Sequence, residues 1–253
     1  MFKLNEGLWF YIVNNLKLID SEFEYIMLTA GFAVIALIAG YLLGSVNSAI
    51  IVSKVLYGDD VRRHGSGNAG LTNTLRTYGK RAALLTLFGD VMKTVIAVFI
   101  GAILGGFGYS HGISLGTLYC DLPLSYMAGF AAVIGHILPI FYKFKGGKGV
   151  LCTATLALVL TPFEFLILIL IFIAVVAYSK YVSLGSVIVA CLYPVVVSLH
   201  IKVLFNGAKQ NGVMALITVL IAIIVVYCHR ENLKRINDRT ERKLSFGKKK
   251  EDK

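Results

Sequence analysis

The chain has 253 residues, 57% of them hydrophobic and 15% charged, and its 25 Lys and Arg outnumber its 14 Asp and Glu for a formal net charge of +11. So apolar a composition excludes a soluble domain of this size and points to a polytopic membrane protein. The basic excess gathers beside apolar segments and near the C-terminus, which suits anionic lipid head groups and phosphorylated substrates rather than nucleic acid.

Residues 1–25 mix Trp9, Phe10, Tyr11 and Ile12 with Asp20, Glu22 and Glu24, the pattern of an amphipathic helix lying on a membrane surface. A secretory signal peptide fits poorly, because the basic start is thin and no small-residue cleavage pattern follows. The first span is predicted over about residues 26–53, with Gly40, Gly44, Ser45, Asn47 and Ser48 near its end as small and polar groups that permit close helix approach. The polar stretch from Arg62 to Lys80, RRHGSGNAGLTNTLRTYGK, follows. Its glycines let backbone N–H groups approach a phosphate, its hydroxyls and amides add neutral donors, and its arginines are planar two-pronged cations. An ordinary basic cytoplasmic loop turned by glycines is the plainer alternative. Gly65, Gly67 and Gly70 also match G-x-G-x-x-G, but charged residues rather than a strand precede them, so a dinucleotide site is not implied.

A second span, about Ala82 to Leu104, carries Asp90 and Lys93 on one helix face. They read as a mutually neutralising pair turned toward the bundle interior rather than a proton relay, since no chain of further ionisable residues continues them. Residues 105–122 contain His111 and Asp121 but no Lys or Arg. A third span, about Leu122 to Phe141, ends in YKFKGGKG, Tyr142 to Gly149. The Walker pattern fails there twice, with Tyr142 where the first glycine belongs and Gly149 after the lysine, which argues against a nucleotide hydrolase. What survives is glycine N–H groups and one ammonium at an incipient helix N-terminus, a seat for an anion. Val150 to Tyr178 is interrupted by Thr161, Pro162 and Glu164, and predicts two short or tilted helices broken near Pro162. A polar turn, Ser179 to Ser186, leads to a sixth span ending near Phe205, and a seventh covers about Val213 to Cys228. Cys120, Cys152, Cys191 and Cys228 form no C-x-x-C pair and read as packing residues.

The expected fold is therefore all-α, a polytopic integral membrane bundle of about seven transmembrane helices. Lys and Arg collect in the Arg62 loop, the Lys143 to Lys148 loop, the Lys180 turn and the tail, which a seven-helix path puts on one side. That side is expected to be cytoplasmic, with the N-terminus outside and the C-terminus cytoplasmic.

GSGNAGLTNTLR at Gly65 to Arg76, GHILPIFYKFKGGKGV at Gly135 to Val150 and HRENLKR at His229 to Arg235 resemble, in order, the three motifs of the bacterial acyl-phosphate:glycerol-3-phosphate acyltransferase family, PlsY. The resemblance covers about Leu37 to Arg235. It implies transfer of an acyl group from acyl phosphate to the 1-hydroxyl of sn-glycerol 3-phosphate, giving lysophosphatidic acid and phosphate, the first step of phospholipid synthesis. It also implies a multi-pass protein of the bacterial plasma membrane with its active site at the cytoplasmic face, and the sequence itself, with no clustered His, Cys or carboxylate ligands and no complete Walker motif, leads us to expect no cofactor, metal or nucleotide. On that pattern residues 1–25 are an N-terminal extension, 26–235 the membrane acyltransferase domain and 236–253 a basic cytoplasmic tail. The resemblance implies Ser66, Arg76, Lys148, Ser186, His229 and Asn232 as catalytic residues, and Glu231 as a structural residue near the site. Departures are Leu151 and Cys152 in place of the usual small residue after Gly-Lys-Gly-Val, and Arg239 where the tail often has glycine.

The chemistry of the residues agrees. An acyl phosphate carries a good leaving group, so a hydroxyl attacks with modest help once two repelling anions are held together. Gly65, Gly67, Asn68, Gly70, Thr72, Asn73, Arg76, Gly146, Gly147, Lys148 and Gly149 are the candidate phosphate-binding residues, and Ser66, Ser186 and Asn232 are candidates to position the hydroxyl or carbonyl. His229 is a general base or a hydrogen-bonding fixture; the second option, with a substrate phosphate as proton acceptor, is preferred. Acyltransferases that work through H-x-x-x-x-D are disfavoured, because Ala69, Gly116, Phe141, Phe205 and Lys234 stand five positions after the histidines. The alternative is a membrane transporter of a phosphorylated metabolite, which would place polar residues at mid-membrane and show an internal repeat.

Overall fold

A computed structural model of the chain describes residues 7–16, 18–19, 21–106, 113–114, 121–204 and 212–244. The expectations for Met1 to Glu6, His111, Cys120 and the last nine residues lie outside them.

Ten α-helices make up the described architecture: α1 Gly7–Phe10, α2 Glu22–Ser45, α3 Ser48–Tyr57, α4 Leu71–Gly105, α5 Leu124–Ile137, α6 Val150–Leu160, α7 Pro162–Ser179, α8 Val182–Leu204, α9 Gly212–Cys228 and α10 Arg230–Asn237. A two-residue antiparallel ladder, Ile113–Ser114 with Asp121–Leu122, lies between α4 and α5. Among the described residues, five helical stretches are long and apolar enough to cross a membrane, and six are if α9 and α10, bent by 53° at His229, count as one. The predicted break at Pro162 is present: Thr161 ends α6, and Pro162 opens α7 where its missing N–H costs nothing. At 11 residues α6 is shorter than a full span.

The first span is displaced from its expected limits. Ser21 accepts from the Glu24 N–H while the Glu24 carboxylate accepts from the Ser21 N–H, and this capping box starts α2 inside the predicted extension. The span then breaks at Val46, whose backbone is extended, and the Asn47 side chain caps α3 by accepting from Ile50 N–H at 3.1 Å. The extension is not one surface-lying helix either. One α-turn is followed by a π-helical turn at Tyr11–Leu16, and Trp9 is buried, its indole N–H donating to Thr29 Oγ1 at 3.0 Å.

Close approach between α2 and α5 follows from glycine. A Cβ at Gly40 or Gly44 would lie 2.2 or 2.1 Å from the carbonyl oxygens of Ala128 and Ala132, so only hydrogen fits. A second core joins α4, α5, α6, α8 and α9 through Val98, Tyr126, Leu156, Tyr193, Met214 and Ile221. Asp90 and Lys93 are paired at 2.8 Å and buried, as expected of a neutralising pair. The pair is continued, however, by His136 from α5, whose Nδ1 is 3.0 Å from Lys93 Nζ. That ammonium also donates to the carbonyls of Gly44 and Val46, 3.1 and 2.9 Å away, where the break between α2 and α3 removes their helical donors. Cys152 is buried, whereas Cys191 is exposed on the bundle surface and is no packing residue.

Candidate active site

The three polar stretches meet at one end of the bundle because side chains tie the loops together. Arg62 pairs with Asp60 and sends its NH1 to the carbonyls of Tyr142 and Lys145, at 3.1 and 3.2 Å. This pairing holds the Asp60 carboxyl down to about 2. Asn73 organises the first loop from within: its Oδ1 accepts from Ser66 N–H and its Nδ2 donates to the Val61 and His64 carbonyls, all at 3.0 Å. Gly65 and Gly67 sit at φ +60° and +71°, and a Cβ on Gly65 would lie 2.2 Å from Asn73 Oδ1. Asn73 is thus a brace for the loop, with its amide fully engaged.

The second loop departs from expectation. The N–H groups of Gly146 and Gly147 do not face an anion: they donate to the carbonyls of Ile137 and His136 at 3.2 and 3.0 Å, satisfying the end of α5. Their role is close approach. A Cβ on Gly147 would sit 2.0 Å from His136 Nε2 and 2.9 Å from the Ala69 carbonyl, with His136 already held by Lys93. Gly147→Ala is therefore expected to displace the loop that carries Lys148 and to raise the KM for its phosphorylated substrate about tenfold or more, with a smaller fall in kcat. Steady-state kinetics on protein of checked thermal stability measures this, and an unchanged KM refutes it.

The free donors come from helix starts. α4 begins after Gly70 and α6 after Gly149, neither with a side-chain cap, so the opening N–H groups of both helices lack partners within them. Both first turns line one cavity of about 660 Å³. Arg76, Lys148, Arg235 and Arg242 also line it, giving a cationic end into which two helix dipoles point their positive poles.

The third stretch closes this end. Lys148 Nζ donates to Asn232 Oδ1, and Asn232 Nδ2 donates to Glu241 Oε1 at 2.6 Å. Glu241 also accepts from Ser183 Oγ at 3.0 Å and from Arg235 Nε at 2.7 Å. Burial works to raise the Glu241 pKa, but the bonds from Asn232, Arg235 and Ser183 outweigh it and keep the group below its usual range. One expectation fails here. Glu231 is two-thirds exposed and reaches only Arg230 at 4.0 Å, so the structural glutamate of this site is Glu241. Beyond residue 235 the described chain folds back, so that residues 240–242 line the cavity and Leu244 N–H donates to the Lys180 carbonyl at 2.7 Å. The turn that brings the chain back puts Arg239 at φ +58°, a conformation that favours glycine.

His229 Nδ1 lies 2.8 Å from the Val225 carbonyl, which only accepts, so Nδ1 carries the proton and Nε2 is the ring's acceptor. Ser186 is buried on the cavity wall, its hydroxyl donating to Val182 O at 2.9 Å, and Ser66 lines the same cavity from the first loop. Gly65, Ser66, Asn68, Gly70, Thr72, Asn73, Arg76, Lys148, Gly149, Ser186, His229 and Asn232 all line the cavity, while Gly67, Gly146, Gly147 and Glu231 do not. Asp90 and His136 line it as well. Away from the cations the wall is apolar, formed by Ala157, Phe165, Leu168, Phe172, Val189 and Tyr193 among others.

Burial pushes the Lys148 ammonium down to about 8, with Arg235 and Arg76 adding to the shift and Glu241 opposing it. The charged form is therefore lost as pH rises through about 8 in the empty site. A phosphomonoester stays dianionic there, since its second pKa is about 6. KM for a phosphorylated substrate is thus expected to be flat below pH 8 and to climb toward tenfold per unit above it. Lys148→Arg, which stays charged, is expected to remove the inflection. A KM profile from pH 6.5 to 9.5 for both proteins decides this.

The model of the glycerol-3-phosphate acyltransferase family matches residues 34–239. A glycerol-3-phosphate acyltransferase of Syntrophomonas wolfei is 41% identical over 209 residues, covering 83% of this chain and 95% of that protein. One from Chlorobaculum tepidum is 36% identical over 227 residues, covering 84% and 97%. Among solved structures, that of PlsY (YgiH), an integral membrane glycerol 3-phosphate acyltransferase, in its glycerol 3-phosphate form aligns with a TM-score of 0.67 at 29% identity, over 84% of this chain and 96% of that one. Its lysophosphatidic acid form aligns with a TM-score of 0.65.

Proposed function

The chain belongs to the glycerol-3-phosphate acyltransferase family and is a multi-pass membrane acyltransferase, and from that premise we propose that it moves an acyl group from acyl phosphate to the 1-hydroxyl of glycerol 3-phosphate. One observation carries the choice of substrates: a single cavity joins an apolar limb to an end where two uncapped helix N-termini and several cations converge. That is the complement of two phosphorylated molecules, one of them carrying a hydrocarbon chain.

Lys148 with the start of α6, and Arg76 with the start of α4, hold the two phosphates against their mutual repulsion. Asn232, Ser66, Ser186 and the Nε2 of His229 orient the attacking hydroxyl and the carbonyl. The hydroxyl oxygen bonds to the acyl carbon, the carbon–oxygen bond to the phosphate breaks, and the proton leaves the hydroxyl for a phosphate oxygen. Lysophosphatidic acid and inorganic phosphate result, without metal or nucleotide.

The four basic stretches lie together at the cavity's end, which supports a cytoplasmic site and an outside N-terminus in the bacterial plasma membrane. Purified protein in EDTA is expected to release phosphate from acyl phosphate only when glycerol 3-phosphate is supplied. Release without the acceptor, or uptake of glycerol 3-phosphate into vesicles with no product, would defeat the proposal in favour of a transporter. Inside-out membrane vesicles should be active as prepared and right-side-out ones only after detergent; equal activity in both would reverse the orientation.

A further inference from the structure

Taking the apolar limb as the acyl site, we propose that Tyr193 is the stop that gauges the length of the acyl chain accepted. The lining follows helical spacing toward the bundle centre, through Ala154 and Ala157 on α6 and through Ser186, Ala190 and Tyr193 on α8. One turn further along the same two helices, Leu160 and Val197 no longer face space. They are 5% and 0% exposed and belong with Met214 to the packed core. Tyr193 lies on that boundary, itself 1% exposed.

The ring is anchored where the limb ends. Its hydroxyl is 3.3 Å from Oγ1 of Thr161, which in turn bonds to the Ala157 carbonyl at 3.1 Å. Swinging the ring aside would strip a buried hydroxyl of this partner, so the stop resists displacement by a hydrocarbon tail. Just above it, Ala157 and Ala190 leave the width that the last carbons of a chain occupy. From Ser183 at the polar end to Tyr193, the helical rise amounts to about 15 Å.

A steric stop is what length selection requires in this setting. The donor's alternative surroundings are lipid tails, as apolar as the limb, so burial alone discriminates little between chains. A chain that meets the ring must fold back, which pulls its carbonyl from the attacking hydroxyl.

The test compares kcat/KM for stearoyl phosphate and lauroyl phosphate, both presented in the same micelles to purified protein at saturating glycerol 3-phosphate. The stearoyl-to-lauroyl ratio is internal to each preparation, so loss of folded protein cancels. Tyr193→Ala is expected to raise the ratio about tenfold and Ala157→Phe to lower it about tenfold. If Ala157→Phe shifts the ratio and Tyr193→Ala does not, the limb holds the chain but Tyr193 is not its stop, and the proposal falls alone. If neither variant shifts it, the acyl assignment of the limb falls too.

Discussion

Lys148→Met is expected to lower kcat/KM for glycerol 3-phosphate by about a thousandfold, the largest single loss at this site. The ammonium sits at the start of α6 and is half-buried, and it is fixed by the Asn232 carbonyl. Removing it leaves the opening N–H groups of α6 to hold a dianion whose water has been displaced. Deleting one preorganised donor at an oxyanion costs about 2.7–4 kcal/mol, the upper end of which is close to the thousandfold stated. Because the phosphate is held before and during reaction, the loss is expected in KM as well as kcat. Phosphate release with both substrates varied measures the split. A variant that folds and keeps wild-type KM would show that the phosphate is seated elsewhere, with Arg76 and α4 the next place to look.

Asn232→Ala is expected to lower kcat about a hundredfold with little change in KM. The amide stands between a cation and an anion: its carbonyl faces Lys148 and its amino group faces Glu241. That polarity leaves only one orientation of the amide, so the carbonyl is aimed and not free to flip. Hydrogen bonds to charged groups contribute about 1.5–3 kcal/mol, which corresponds to a factor of ten to a few hundred. Asn232→Asp supplies the check on cause. It keeps the shape but sets a carboxylate against Glu241 Oε1, 2.6 Å away in the native protein, and should be worse than alanine in thermal stability. If aspartate were the better tolerated of the two, the Glu241 contact would not be what orients this residue.

The membrane spans are legible because runs of apolar residues survive any tertiary context, and Pro162 announces its break by chemistry alone. The motif residues of all three stretches are legible as a phosphate-handling set, and most of them line the cavity. Direction of bonding is not legible. Gly146 and Gly147 read as anion donors, yet their N–H groups serve the end of α5, and nothing in GGKG distinguishes the two uses. Helix α4 begins eleven residues before the apolar segment, because its polar start is a helical stretch of its own: Gly79, at φ +81° and ψ −169°, is not helical and breaks α4 at a kink before the apolar part. Glu241 is not legible, because it and Asp238 are acids scattered among arginines and lysines and look like solvated charges, and only the fold-back at Arg239 makes Glu241 a buried acceptor for three partners. The place of His136 is not legible because it shares no sequence neighbourhood with Asp90 and Lys93.

The return of residues 240–244 to the cavity has a consequence for the timing of activity during synthesis. Helices α2 to α9 can enter the membrane and pack as they emerge, but Lys148 has no aimed partner until Asn232 and then Glu241 have left the ribosomal tunnel. The nascent protein is thus a membrane-inserted scaffold with an open cationic mouth until residues 240–244 have emerged and folded back beside Lys180. A stalled or prematurely terminated chain lacking residues from 240 onward is expected to insert normally but to hold Asn232 without its Glu241 anchor, and so to lose much of its activity.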